Sequence, residues 1–263
     1  MIDLEREQLR KTYQICRLGF LILTVALVPA CLIALLFLIG LLGDRHLLLW
    51  LRNSPWNEWI STISVWGSLI GTMLLWGRWD HRSWQRRTGF LLFLCLIDIV
   101  SWFMDHGKGN GPGAHEWLRD NLGAALGWAE FALMASLTGD YLVHLGLELA
   151  EESARSTRAL AATGAVVWLL YFCESTDWEA GWPLRNRLLT IPAHLLFLGW
   201  NLIWTIALIQ VTALVIAAFR QTNKTVGEME REDQENDLLH FPSETSHLDL
   251  LATASTQDVG QEF

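Results

Sequence analysis

LGFLILTVALVPACLIALLFLIGLLG, residues 18–43, runs for 26 residues without a charged side chain. The hydrocarbon core of a bilayer is about 30 Å thick and takes roughly 20 residues of apolar helix to cross. This stretch is therefore long enough to span a membrane. Two more behave alike: residues 59–77, 19 in number, and residues 188–219, 32 in number, in which His194 is the one ionisable group. Arg6, Arg10, Lys11 and Arg17 precede the first stretch, as in a secretory leader. A leader's apolar core is only roughly 7–15 residues, and no small-residue cleavage pattern closes residues 18–43. A retained first span is expected.

The other runs are less apolar. Residues 88–104 carry Asp98, and residues 122–147 carry Glu130, Asp140 and His144. Residues 159–173 offer 15 positions before Glu174, with Arg158 able to snorkel toward an interface. Together these predict an all-α integral membrane protein: a bundle of about six transmembrane helices with a disordered acidic C-terminal tail. The spans are about 18–43, 59–77, 88–104, 122–147, 158–175 and 190–219, with five as the alternative. Helices follow because backbone groups inside a bilayer must be paired within their own segment. A chain with 52% apolar and 18% charged residues fits the same class. Most of the 15 Trp, such as Trp50, Trp56, Trp59, Trp76, Trp84 and Trp102, fall near span ends, where an interfacial aromatic belt accounts for them. A Trp-lined ligand cage is not called for.

Lys and Arg give the threading. With residues 1–17 inside, the inner segments hold thirteen basic residues, Arg78, Arg82, Arg86 and Arg87 among them, and the outer segments hold six. The positive-inside rule then places both termini in the cytoplasm. The segment 220–263 has ten acidic residues against three basic, so it is expected as a cytoplasmic, disordered tail too poor in apolar groups to offset chain entropy. Its short patches, such as residues 238–241, could fold on a partner protein.

Cys16, Cys31, Cys95 and Cys173 are scattered through the runs with no C-x-x-C pair, so they read as small buried hydrophobes. Gly67 and Gly71, and Gly123 and Gly127, each form a G-x-x-x-G, which lets helix backbones approach closely. Packing within one chain is the expected use.

Chemistry should lie with ionisable groups inside the membrane, where a charge costs roughly 2.5–3.5 kcal/mol on insertion scales. Asp98 and His194 fall about 9 Å from the outer ends of their spans and Glu130 about 12 Å, at 1.5 Å per residue. Three groups on three helices thus share one depth. Asn201 and Gln210 could line the same space further in. Asp98, Trp102 and Asp105 recur on one helical face, and His106 follows. A divalent metal could take Asp98, Asp105, His106, Glu130 and His194 as ligands. Asp140, His144 and Glu148 form a second stripe, read as a helix end emerging into water.

Several classes are disfavoured. His144 and His194 fall at opposite faces, which argues against bis-histidine haem. There is no G-x-S-x-G or H-E-x-x-H, and the glycines of residues 107–113 lack the P-loop pattern. An acidic chain without a basic face gives no support for nucleic-acid binding. The leading expectation is a protein that handles a small solute, an ion or protons through Asp98, Glu130, His194 and Asn201. The alternatives are a metal-dependent membrane enzyme acting at the outer leaflet, and a membrane scaffold or regulatory subunit recruiting partners through its tail.

Overall fold

The computed structural model describes residues 2–43, 45–78, 82–106, 114–175 and 193–240. Among the described residues the structure is all helical: α1 (Ile2–Leu42), α2 (Arg45–Asn53), α3 (Pro55–Leu75), α4 (Arg82–His106), α5 (Ala114–His144), α6 (Leu149–Ser175) and α7 (Ala193–His240). Two of these, α1 and α7, are long and apolar enough to cross a membrane. Over their described residues the helices between them do not reach that combination of length and apolarity, so a six-span bundle is not decided by it. Every expected span nevertheless overlaps a single long helix, although α5 ends at His144, three residues short of the expected span 122–147. The nine residues of α2, in what was expected as a loop, were not foreseen.

The chain divides into two compact units, Met1–Thr222 and Asn223–Phe263. The expectation of disorder from residue 220 onward is corrected in part: α7 is helical as far as His240. Extending a helix fixes only one residue per added hydrogen bond, so a nucleated helix propagates easily into a segment rich in Glu, Gln and Arg. Lys224 adds an exposed i,i+4 pair with Glu228 at 3.8 Å. Residues 241–263 lie outside the described residues.

Local signals set the helix boundaries. Ser54 caps α3, its hydroxyl accepting from the Trp56 amide at 3.4 Å, and Pro55 occupies the first turn, where its missing N–H costs nothing. Beyond α3, Gly77 turns the chain at φ 70°; beyond α5, Gly146 does so at φ 86°, in the left-handed region open to glycine. Helix α5 ends at His144, so Glu148 lies beyond it and the expected stripe of Asp140, His144 and Glu148 does not run along one helix.

Close packing within the first unit explains the glycines. A side chain at Gly67 would strike Ala26, and one at Gly71 would strike Leu23 and approach the Gly19 carbonyl, so α1 and α3 meet backbone to backbone. Gly139 meets Ala154 in the same way, joining α5 to α6. Tyr141 is fully buried among four helices. Its ring lies 4.8 Å from Phe20 of α1 and 6.2 Å from Trp84 of α4, and its hydroxyl is 2.7 Å from the Thr222 hydroxyl of α7. Trp84 is therefore not an interfacial aromatic: it is 4% exposed and donates its indole N–H to the Leu75 carbonyl. Trp50, Trp56, Trp59 and Trp76 are exposed, as expected of a belt. Arg87 reaches from α4 to Asp140 (2.6 Å) and Ser136 (2.7 Å) on α5, so one member of the basic segment fastens two helices.

The helices turn apolar groups outward. Leu32, Leu36 and Ile39 on α1, and Phe90, Phe93, Leu96, Val100 and Phe103 on α4, are all exposed. On α4 this stripe lies opposite the side carrying Asp98.

Candidate functional site

Asp98 of α4 and Glu130 of α5 are joined by a side-chain hydrogen bond. Ionised carboxylates only accept, so two carboxyl groups can hydrogen-bond only when one carries a proton. Two ionised carboxylates this close repel each other, so the pair is held together only by a shared proton or by a cation beside it. The second oxygen of Glu130, Oε1, is buried and has no hydrogen-bond partner. An unpartnered buried acceptor is costly, and in a native structure it marks a place where a donor is missing.

Both carboxyls line a cavity of ≈ 420 Å³ enclosed by α1, α3, α4, α5 and α7. Helix α1 contributes an apolar wall of Leu27, Ala30, Ile33, Ala34 and Phe37. Helix α3 contributes the opposite kind of surface. Asn57, Ser61, Ser64 and Ser68 all line the cavity at i, i+4, i+7 and i+11, a hydroxyl-bearing stripe along one helical face. Sequence reasoning missed this stripe. Its signal was the register, because single serines in an apolar run carry none.

Asn201 and Thr205 of α7 lie on the same cavity, the Asn201 side chain donating to the Phe197 carbonyl at 2.8 Å. Between them Trp204 packs edge-on against Trp128 (4.9 Å) and against Phe131 (4.6 Å). Any side chain at Gly127 would collide with the Trp204 ring, so the second glycine of G-A-A-L-G makes room for an indole that lines the cavity. Gly123 has nothing within 4 Å of its missing side chain and borders open space.

A second cavity of ≈ 410 Å³ shares Ser61, Asp98, Gly123, Asn201 and Trp204 with the first and adds Ser101, Trp102 and Trp200. The two form one chamber with carboxyls and hydroxyls on one part of its wall and three indoles on another. Trp102, expected near a span end, lines this space together with Trp200 and Trp204.

Of the expected site residues, the structure brings together Asp98, Glu130 and Asn201. Gln210 is not with them: its Oε1 accepts from Thr157 at 3.0 Å and lines a separate cavity between α5, α6 and α7. The side chains of His194, Asp105 and His106 lie outside the described residues. Among the described residues no three His, Cys, Asp or Glu side chains converge in a way that could hold a metal ion. Cys16, Cys31 and Cys95 are buried, and Cys31 lies 3.0 Å from the Thr212 hydroxyl, tying α1 to α7. The glycines of residues 107–113, read as a flexible turn, lie outside the described residues.

No protein-family model, no curated protein and no solved structure matches this chain.

Proposed function

We propose that this chain is a multi-pass membrane protein that handles a small solute, an ion or protons through the Asp98–Glu130 chamber. The observation that carries the reading is the adjacent Asp98 and Glu130 carboxyls with the unsatisfied Glu130 Oε1, set in a cavity among helices whose outer faces are apolar. Ionisable groups kept inside a helical bundle are expensive, and retained ones mark paths for ions, protons or polar solutes.

Six spans are part of the proposal, provided by α1, α3, α4, α5, α6 and α7, with the N-terminus and the tail on the cytoplasmic side. Three of the helices that fall short on apolarity, α3, α4 and α5, line the chamber. Helix α3 gives one face to serines, and α4 gives one face to Asp98, yet both keep Ile63, Ile70, Phe90 and Phe93 outward. A helix polar toward the bundle and apolar toward lipid fails an averaged hydropathy test while still meeting the physical requirement for spanning. A soluble protein would leave these outer groups in water, and contiguous apolar patches of that kind mark surfaces that are covered.

The test is proton movement in vesicles. Full-length protein is reconstituted into liposomes containing a pH-sensitive dye, and an imposed pH gradient is followed with the membrane potential clamped. The expected result is dissipation by the wild-type protein that falls at least tenfold when Asp98→Asn and Glu130→Gln are combined. Equal rates in wild-type, double-variant and protein-free vesicles would sink the proposal.

A further inference from the structure

The chamber's wall chemistry selects what can enter it, and this step rests on the chamber being the working site. Among the described residues, none of those lining either cavity is Lys, Arg or His. An anion would find the Asp98–Glu130 pair and no positive partner, which is repulsive in a site of low dielectric. A neutral solute would leave the charge of the carboxyl pair unbalanced, and a buried unpaired charge is the costlier defect.

A bare metal cation meets a different objection. Hard cations take six or more oxygens, and Zn²⁺ takes four tetrahedral ligands. Around this pair the other polar groups are neutral hydroxyls and amides, the rest of the wall is indole, phenyl and alkyl, and no three ligating His, Cys, Asp or Glu side chains converge among the described residues. The space is also large for an ion: a cavity of ≈ 420 Å³ lies in the range that holds organic ligands.

One class satisfies every wall at once. An ammonium group supplies the N–H that Glu130 Oε1 lacks and the charge that the pair lacks. Trp204, with Trp102 and Trp200 in the adjoining space, offers ring faces that attract cations, best when desolvated. The apolar wall of α1 suits a hydrocarbon body, and the hydroxyls of Ser61 and Ser64 accept further N–H bonds. The Trp204 ring, held against Trp128 and Phe131, is pre-ordered and loses little freedom on binding.

We infer that the chamber binds a small organic ammonium ion with at least one N–H, its charged head on Asp98 and Glu130 and its apolar body against Trp204 and the α1 wall. An anionic or neutral solute of the same shape is rejected.

The experiment uses full-length protein in lipid nanodiscs and four probes with one hydrocarbon body: phenethylammonium, its N-trimethyl counterpart, 2-phenylethanol and phenylacetate. Binding is read by calorimetry and by the change in tryptophan emission, at a pH where the amine is protonated. Phenethylammonium is expected to bind at least tenfold more tightly than each of the other three. Glu130→Gln is expected to weaken it at least tenfold while leaving the alcohol's weak binding unchanged. A wild-type series in which the carboxylate, the alcohol or the quaternary ion equals the ammonium overturns the inference, and needs no variant to fold. Undiminished ammonium binding in Glu130→Gln overturns it as well. The vesicle experiment separates the two levels. Gradient dissipation lost in the double variant without ammonium preference removes the ligand class and leaves the chamber's function standing. Dissipation indifferent to both carboxyls removes the chamber reading itself.

Discussion

Asp98 and Glu130 share one hydrogen bond, so changing either alters the state of both. Infrared spectra of the wild-type protein should contain the C=O band of a protonated carboxyl that is absent from the combined Asp98→Asn, Glu130→Gln variant. If the two spectra are identical, the pair shares no proton. At Tyr141 a different kind of residue is at work. Its hydroxyl meets Thr222 at 2.7 Å with no exposed surface, so Tyr141→Phe should cost about 1 kcal/mol, the usual net worth of a buried hydrogen bond. A denaturation series in detergent that places the loss near zero would mean the bond is replaced on mutation. These residues differ in how visible they are. Asp98 and Glu130 stand out because a carboxylate in an apolar run is costly and needs a reason. Ser61, Ser64 and Trp204 do not, since each is ordinary at its own position and acquires meaning only from what it faces.

Between whole helices the contacts are mostly backbone approaches. At Gly71 an added side chain would stand 2.5 Å from Leu23, with the Gly19 carbonyl behind it, so Gly71→Leu must push α1 and α3 apart. Overpacking of this kind costs typically about 1–3 kcal/mol. Gly123→Ala, which meets nothing within 4 Å, should be neutral in stability yet narrow the chamber. Thermal unfolding of the two variants side by side checks the contrast; equal loss from both would show that the packing is not as described. The long helices were legible from charge-free runs, because the cost of exposing backbone in lipid leaves one solution. The extent of α7 was not. Composition marks residues 220–240 as unable to form a core, but a helix that continues from a packed one needs no core of its own.

At the scale of the whole molecule, the two helices long and apolar enough to cross a membrane over their described residues are the first and the last. Tags fused at the two ends should report the same side of the membrane, and opposite sides would exclude an even number of spans. Removal of everything after residue 175 should leave a chain that is degraded or aggregates, because Asn201, Trp204 and Thr212 would no longer cover α1 and α5. A stable, monodisperse truncated protein would count against this. The serine stripe of α3 carries a consequence for biogenesis. A nascent helix with a hydroxylated face partitions poorly into lipid by itself, and α1 fits the Gly67–Gly71 face of α3 at Ala26, Leu23 and Gly19. Under the proposed six-span topology the first helix would serve as an intramolecular chaperone for the second crossing. Translation order, with the most lipid-soluble segment emerging first, becomes part of how the polar interior is assembled.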